Sequence, residues 1–285
     1  MGENGIKIWP QDDTVSLTYF TPFTTEGAPA ILVLPGGGYN TCAPFEGDPV
    51  GEKFANLGYH AYVLRYSTRF TNFDNMGGKL NLHTLFPEPL QQVAAAMKRI
   101  RGEHPDIPVV IVGFSAGGHL ASCYGNLWNS AEVGDGSEEL KPNAIILGYA
   151  ATELTQDEII MKAVYGEKEV YSDEEIHQYM AKELIGKQTP PTFLFHSITD
   201  PMVPARESVE YAQALDQAGI PYELHLFGTG GHAYSIADGK PMGAWVNMAD
   251  TFVRNIISNP LDYDKEESIR KARERMHRHG PGIRR

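Results

Sequence analysis

The chain has 285 residues, of which 42% are hydrophobic, and a formal net charge of −12. That length suits one large α/β domain or two small ones, with enough apolar material for a sizeable core. The acidic balance argues against a nucleic-acid partner, which calls for a basic footprint.

In chain order, Ile6–Trp9 and Val15–Phe20 read as a first hairpin, and Ala30–Leu34 as a buried strand feeding Pro35-Gly36-Gly37-Gly38-Tyr39. A helix is expected from about Pro49 to Leu57, then the strand His60–Tyr66 after Gly58. Residues 67–89 show no period and read as a long loop. Leu90, Val93, Ala94 and Met97 recur at helical spacing before a strand over 109–114. A helix over Gly118–Trp128 follows. Ala144–Tyr149, Thr192–His196 and Tyr222–Phe227 supply three more strands, and helices are expected at about 205–218 and 243–257. Strands alternating with helices imply a mostly parallel, doubly wound sheet covered on both faces. Residues 152–190 hold two polar helical segments, near 155–164 and 172–185, between two core strands. They read as a small helical lid, because insertions at strand ends often shape a pocket. The domain expectation is one unit over 1–260 with that insertion. A basic tail over 261–285 follows, expected to be solvated or frayed. Residues 265–285 carry eight Lys/Arg against three Glu, so the other 264 residues sum to −17.

Cys42 and Cys123 are the only cysteines, and their spacing suggests neither a zinc site nor a disulfide framework. The N-terminal residues lack the apolar core of a signal peptide, and no apolar run approaches the roughly 18 residues of a membrane span. A soluble, cytoplasmic protein is expected, with no membrane partner.

The most informative feature is Gly113-Phe114-Ser115-Ala116-Gly117, a G-x-S-x-G pattern between the apolar run 109–112 and a helical stretch. Strand, sharp turn and helix are what this motif requires, and a side chain at either glycine would clash in so tight a turn. A serine hydroxyl needs a base, usually a histidine held in one tautomer by a carboxylate. Partners should follow strand carboxyl ends, where open α/β sheets place their ligands. Asp200 follows the strand 192–196, and His232 follows the strand 222–227 through a glycine-rich loop. The order Ser115, Asp200, His232 is that of α/β-hydrolases. Among the other histidines, His225 alternates within a strand and reads as structural. His196 reads as ordering the loop of the acid. His119, four residues beyond Ser115 on the same helix, reads as structural too, with a loop near the site as what it could hold. Acyl transfer also needs donors for an oxyanion. Gly36-Gly37-Gly38 can bring backbone N–H groups close to a substrate, and the N–H of Ala116 opens a helix. No Gly-Lys-Ser/Thr follows the glycines, which argues against nucleotide binding.

Taken together, Leu34-Pro35-Gly36-Gly37-Gly38-Tyr39, Gly113–Leu120, His196–Pro204 and Gly230-Gly231-His232-Ala233-Tyr234 resemble the α/β-hydrolase serine esterases. The resemblance is to the bacterial acetyl (xylan) esterase and feruloyl-esterase-like group, related to the prolyl oligopeptidase and dienelactone hydrolase branches, and spans about residues 5–258. It implies Ser115, Asp200 and His232 as the triad and Gly37, Gly38 and Ala116 around the oxyanion. Hormone-sensitive-lipase-like esterases carry His where this chain has Pro35, which leaves open whether Gly37 or Gly38 donates. The implied activity is a serine carboxylesterase that removes short acyl groups, acetyl above all, from acetylated sugars or oligosaccharides. No cofactor or metal is implied, and the oligomeric state stays open. Phe70, Phe73 and Phe86 are candidates for stacking on a sugar ring or for packing within the lid. The competing readings are a prolyl-oligopeptidase-like peptidase, for whose accessory domain there is no room, and a non-catalytic binding protein on the same fold.

Overall fold

The computed structural model describes residues 3–25, 27–72, 77–80, 84–154, 158–259 and 265–278. Its main sheet has eight strands: β1 (Glu3–Lys7), β2 (Ser16–Phe20), β3 (Ala30–Leu34), β4 (His60–Arg65), β7 (Val109–Phe114), β8 (Ala144–Gly148), β9 (Thr192–Ser197) and β10 (Tyr222–Phe227). They lie in the order β1-β2-β4-β3-β7-β8-β9-β10. The pairs β1–β2 and β2–β4 are antiparallel, and every later pairing is parallel.

Strands β3, β7, β8 and β9 are buried at every position. Strands covered on both faces read as unbroken apolar runs, which is why their bounds are visible in the sequence. Alternate residues feed two cores. Leu32, Leu34 and Ile111 face a layer made by α2 (Glu88–Glu103), α3 (Ala116–Leu127) and α6 (Arg206–Ala218). Ile31, Val33, Val110 and Val112 face α1 (Asp48–Asn56) and α7 (Trp245–Ser258). On that second face the indole of Trp245 stacks on Phe195 with ring centroids 4.3 Å apart. Helix α6 stops at Gly219, whose φ of 72° caps it in the left-handed conformation that glycine adopts without penalty.

Three segments differ from expectation. Two short strands, β5 (Phe70–Asn72) and β6 (Gly77–Leu80), pair antiparallel where the sequence reads as loop. Strands of three and four residues are too short to display an alternation. Between β8 and β9 lie α4 (Glu158–Tyr165) and α5 (Asp173–Gln178), the latter opened by a capping box of Ser172 and Glu175. The second expected segment therefore breaks after Gln178, continuing as a separate 3-10 turn at Ala181–Leu184. In the basic tail, α8 (Lys265–Arg278) is helical, with Arg270 paired to Glu267 and Glu274 at i,i+3 and i,i+4 spacing. Such pairs support a helix that has no continuous apolar stripe. Among the described residues, no helix is long and apolar enough to cross a membrane.

Candidate active site

β7, β8, β9 and β10 run side by side and parallel, so the segments that follow them emerge at one edge of the sheet. Ser115 follows β7 immediately, with φ 52° and ψ −119°. A non-glycine residue there carries strain on the order of 1–3 kcal/mol, so its surroundings must hold it. They do. The Ser115 N–H donates to the Gly148 carbonyl at 3.0 Å, and the Ser115 carbonyl accepts from the N–H groups of His119 and Ala151 at 3.0 and 3.2 Å. A Cβ at Gly113 would lie 2.2 Å from the Gly117 carbonyl oxygen, and one at Gly117 would lie 2.2 Å from that of Leu34. Both glycines are thus demanded by close approach.

The structure brings the three expected side chains together. Ser115 Oγ is 2.8 Å from His232 Nε2, and His232 Nδ1 is 2.7 Å from Asp200 Oδ2. Because Nδ1 faces a carboxylate it carries the proton, which leaves the Nε2 lone pair toward the serine hydroxyl. Asp200 Oδ1 accepts from the N–H groups of Met202 and Val203 at 2.8 and 3.0 Å. Burial alone would raise the Asp200 pKa. Hydrogen bonds from His196, His232 and those two amides outweigh it and hold the carboxyl well below the usual carboxylate range.

Two further histidines behave as supports. His196 Nε2 faces Asp200 Oδ2 at 3.2 Å and the Val203 carbonyl at 3.0 Å, both acceptors, so it carries the proton. Its Nδ1 then accepts from Ser208 Oγ at 2.7 Å. His119 is fully buried; Nε2 donates to the Tyr179 carbonyl at 2.9 Å and Nδ1 accepts from Tyr39 OH at 2.8 Å. Burial lowers its pKa to about 4, so it is neutral near pH 7. Tyr39 closes the glycine loop with φ 57°, so His119 holds a loop beside the site.

Gly37 and Gly38 face Ser115 and His232 across a cavity of about 350 Å³. Gly37 has φ 121°, and a Cβ there would sit 2.1 Å from the Thr41 carbonyl oxygen. Among the described residues, neither the Gly37 nor the Gly38 N–H donates a hydrogen bond. Ala116 is buried at the first turn of α3. The cavity walls also include Ala43, Ile160 and Val203, with Phe45 and Met202 at the mouth, 49% and 71% exposed. Ala43, Phe45 and Ile160 carry no sequence signal, since each is an ordinary apolar residue in a loop or short helix, whereas Met202 and Val203 fall within the stretch His196–Pro204. Phe86 is not available to a sugar. It is buried, with its ring against Tyr39, His119 and Tyr179 at 5.4, 5.7 and 4.8 Å. Phe70 is half-buried in β5, and Phe73 lies outside the described residues. Among the described residues, no group of three or more His, Cys, Asp or Glu could hold a metal ion.

The chain is similar to proteins of known structure and to curated proteins. A solved acetyl ester-xyloside bifunctional hydrolase from Caldicellulosiruptor lactoaceticus superposes with a TM-score of 0.73 at 28% identity, covering 88% of this chain and 95% of that one. With the sheet order above, this establishes the α/β-hydrolase fold expected from the sequence. Endo-1,4-beta-xylanase B of Butyrivibrio fibrisolvens is 29% identical over 75% of this chain and 34% of its own length. The acetylxylan esterase of Xylanibacter ruminicola is 25% identical over 92% of this chain and 51% of its own. The chain therefore spans about a third to a half of the curated relatives that it matches. A family profile matches residues 18–215, from within β2 to within α6, a stretch that includes the serine turn and Asp200, and by that match the chain belongs to the BD-FAE family.

Proposed function

We propose that the protein is a serine carboxylesterase that removes acetyl and other short acyl groups from acetylated sugars or oligosaccharides. The observation that carries this reading is the hydrogen-bonded chain Ser115–His232–Asp200, which opens from a strained turn onto the cavity. Ser115 Oγ attacks the ester carbonyl as its proton passes to His232 Nε2. Asp200 accepts from Nδ1–H throughout, which fixes the tautomer and stabilises the imidazolium. The carbonyl oxygen, now negative, accepts from the Ala116 N–H and from Gly37 or Gly38. Collapse expels the alcohol, which takes the proton from His232. Water then attacks the acyl-serine by the same route in reverse order of roles, releasing the acid and restoring Ser115.

The small cavity with Ala43, Ile160 and Val203 in its walls supports the short acyl group. The sugar half is supported by the relatives and the solved neighbour whose names specify acetylxylan, xylanase or acetyl ester-xyloside chemistry. The insertion 152–190 acts as a small lid, contributing Ile160 to the cavity wall.

The test is a rate series on 4-nitrophenyl esters from acetyl to octanoyl, run beside acetylated xylo- and mannooligosaccharides. Each methylene refused should change selectivity by roughly 1–3 kcal/mol, so the series should fall steeply from acetyl. A profile rising toward octanoyl overturns the short-acyl assignment, and equal rates on simple acetates and acetylated sugars remove the case for carbohydrate. Failure of a fluorophosphonate to label Ser115 would leave a binding protein on a hydrolase fold.

A further inference from the structure

Glu46 is not part of the Ser–His–Asp set, yet it is 1% exposed and borders the same cavity. It sits at the end of the 3-10 turn Pro44–Glu46, just ahead of α1. One carboxylate oxygen, Oε2, accepts from the Gly36 N–H at 2.8 Å, one residue before the first candidate oxyanion donor. The other, Oε1, accepts from Tyr149 OH at 2.7 Å. That hydroxyl in turn accepts from the Ser235 N–H at 2.9 Å, in the loop that carries His232. The Tyr149 ring meets the His232 imidazole edge-on, with centroids 4.9 Å apart.

The hydrogen-bond directions set the protonation state. A phenol has one proton, and the Tyr149 oxygen already accepts from Ser235, so its proton goes to Glu46. With Gly36 N–H on the other oxygen, both oxygens of Glu46 act as acceptors, as in an ionised carboxylate. Tyr149 itself holds φ 35°, an unfavourable value for a bulky residue, so the backbone after β8 is bent to present this side chain. The Tyr149 N–H donates to the Phe195 carbonyl at 2.9 Å, which ties the bend to β9. The titratable groups around Glu46 are Tyr149 and His232, together with Tyr66, whose hydroxyl donates to the Pro35 carbonyl of the glycine loop. Asp200 lies beyond, within electrostatic range of Tyr149.

We propose that Glu46 is a positioning residue whose buried carboxylate locks the glycine loop to the His232 loop, aligning the oxyanion donors with the general base and favouring the imidazolium as it forms. The inference rests on the triad reading above. One anion serves both ends: it holds the Gly36 amide, which orients the amides that follow, and it lies within electrostatic range of the imidazole of His232. Burial outweighs the hydrogen bonds from Tyr149 and Gly36 and the charge of His232, so the Glu46 pKa stands above its ordinary value.

Wild type, Glu46→Gln, Tyr149→Phe and the double variant, each as the full chain, are compared on 4-nitrophenyl acetate across pH. In Glu46→Gln, kcat should fall about 10- to 100-fold with KM within about threefold, the scale of a small misplacement of reacting groups. Its acid limb should move to lower pH, because the imidazolium that forms at His232 loses a neighbouring anion. Tyr149→Phe keeps the ring against His232 but takes a donor from Glu46. The carboxylate then protonates more readily, so part of the anion is lost in the acid range and the acid limb should move the same way, to lower pH, by less than in Glu46→Gln. The double variant should be no worse than Glu46→Gln by more than about twofold, since both break one chain.

A Glu46→Gln enzyme with wild-type kcat overturns the proposal. So does one with lowered kcat and an unmoved acid limb, which would mark Glu46 as structural only. If Glu46→Gln does not fold, Tyr149→Phe decides by the same criteria. Fluorophosphonate labelling of Ser115 in wild type tests the triad reading separately, so the two failures are told apart.

Discussion

The strand ends and the insertion between β8 and β9 border one cavity but are built differently. At the strand ends the side chains are fixed by buried hydrogen bonds: Asp200 has four donors, and His119 and His196 are fully buried with partners on both ring nitrogens. In the insertion, α4 packs Ile160 and Val164 inward, whereas α5 buries no residue. Its outer contacts are ion pairs such as Arg69–Glu167 and Lys168–Glu175, each with an exposed partner. Surface pairs of this kind are screened by solvent and add little to stability. On the proposed reading, the reacting groups are thus set on the sheet, and the wall that would meet variable parts of a substrate is set on a segment that can change at little expense. Rate should depend on the first region and selectivity on the second.

The largest effects should come from the strand ends. Ser115→Ala should lower kcat by about 10³- to 10⁶-fold, as measured from steady-state ester hydrolysis, with the thermal midpoint little changed because one hydroxyl is lost. Activity within about tenfold of wild type would place the nucleophile elsewhere. Asp200→Asn should cost on the order of 10⁴ in kcat through loss of tautomer control. Here the amide would also face His196 Nε2–H, a donor meeting a donor if its nitrogen takes the Oδ2 position. A silent Asp200→Asn beside a severe substitution at another carboxylate would reassign the acid.

The strand ends were also the legible part. β3, β7 and β9 could be read to within a residue because each is an unbroken apolar run covered on both faces. Ser115 and Asp200 could be placed because each follows such a run, and His232 because a glycine-rich loop carries it away from β10, a strand that is only partly covered. Glu46 and Tyr149 could not. They are 103 residues apart, and their bond exists only once β3 and β8 flank β7. The same holds for Ile160 in the cavity wall. Phe86 shows a different limit: an aromatic in an irregular stretch admits both a sugar-stacking and a packing reading, and the structure packs it against Tyr39 and His119. His119 was legible as a residue near the site but not as the partner of Tyr39, which lies 80 residues away.

At the seam between the two regions, Glu207 of α6 accepts with one oxygen, Oε2, from the N–H groups of Thr152 and Glu153, where the chain leaves β8 for the insertion. Burial raises its pKa to about 7; the two amides lower it and the nearby Glu153 raises it. A carboxyl with a raised folded-state pKa keeps its proton between pH 4.5 and 7 while the unfolded chain has lost it. Its stabilising contribution is therefore complete below pH 4.5 and is lost as pH rises through 7. The change is about 3 kcal/mol across that window, from about 1.4 kcal/mol per unit. Glu207→Gln keeps an oxygen for both amides and removes the titration. The stability difference between variant and wild type, from urea unfolding at pH 5 and pH 8, should grow in favour of the variant at pH 8. His119 works in the opposite sense, losing stability as pH falls from 6.5 toward 4, but it cancels in that difference. A difference independent of pH would mean Glu207 is ionised throughout.

The smallest effect should be the one that isolates the insertion. Ile160 of α4 reaches the cavity wall and is 2% exposed, whereas Met202 at the mouth is mostly in solvent. Ile160→Ala removes three carbons from that wall and touches neither Ser115 nor His232. The rate on an acetyl ester should stay within about threefold, because the reacting groups keep their supports. The butyryl-to-acetyl ratio of kcat/KM should rise about tenfold, the low end of what methylenes admitted to a pocket are worth. Some stability is lost with the buried side chain, about 2 kcal/mol where a truncation opens onto an existing void, so the ratio is the measurement to read. Met202→Ala should leave that ratio unchanged, since an exposed side chain excludes little. A drop in the acetyl rate comparable to that of a strand-end variant would show that the insertion holds the reacting groups. The division between a rate-setting sheet edge and a selecting insertion would then fail at its boundary.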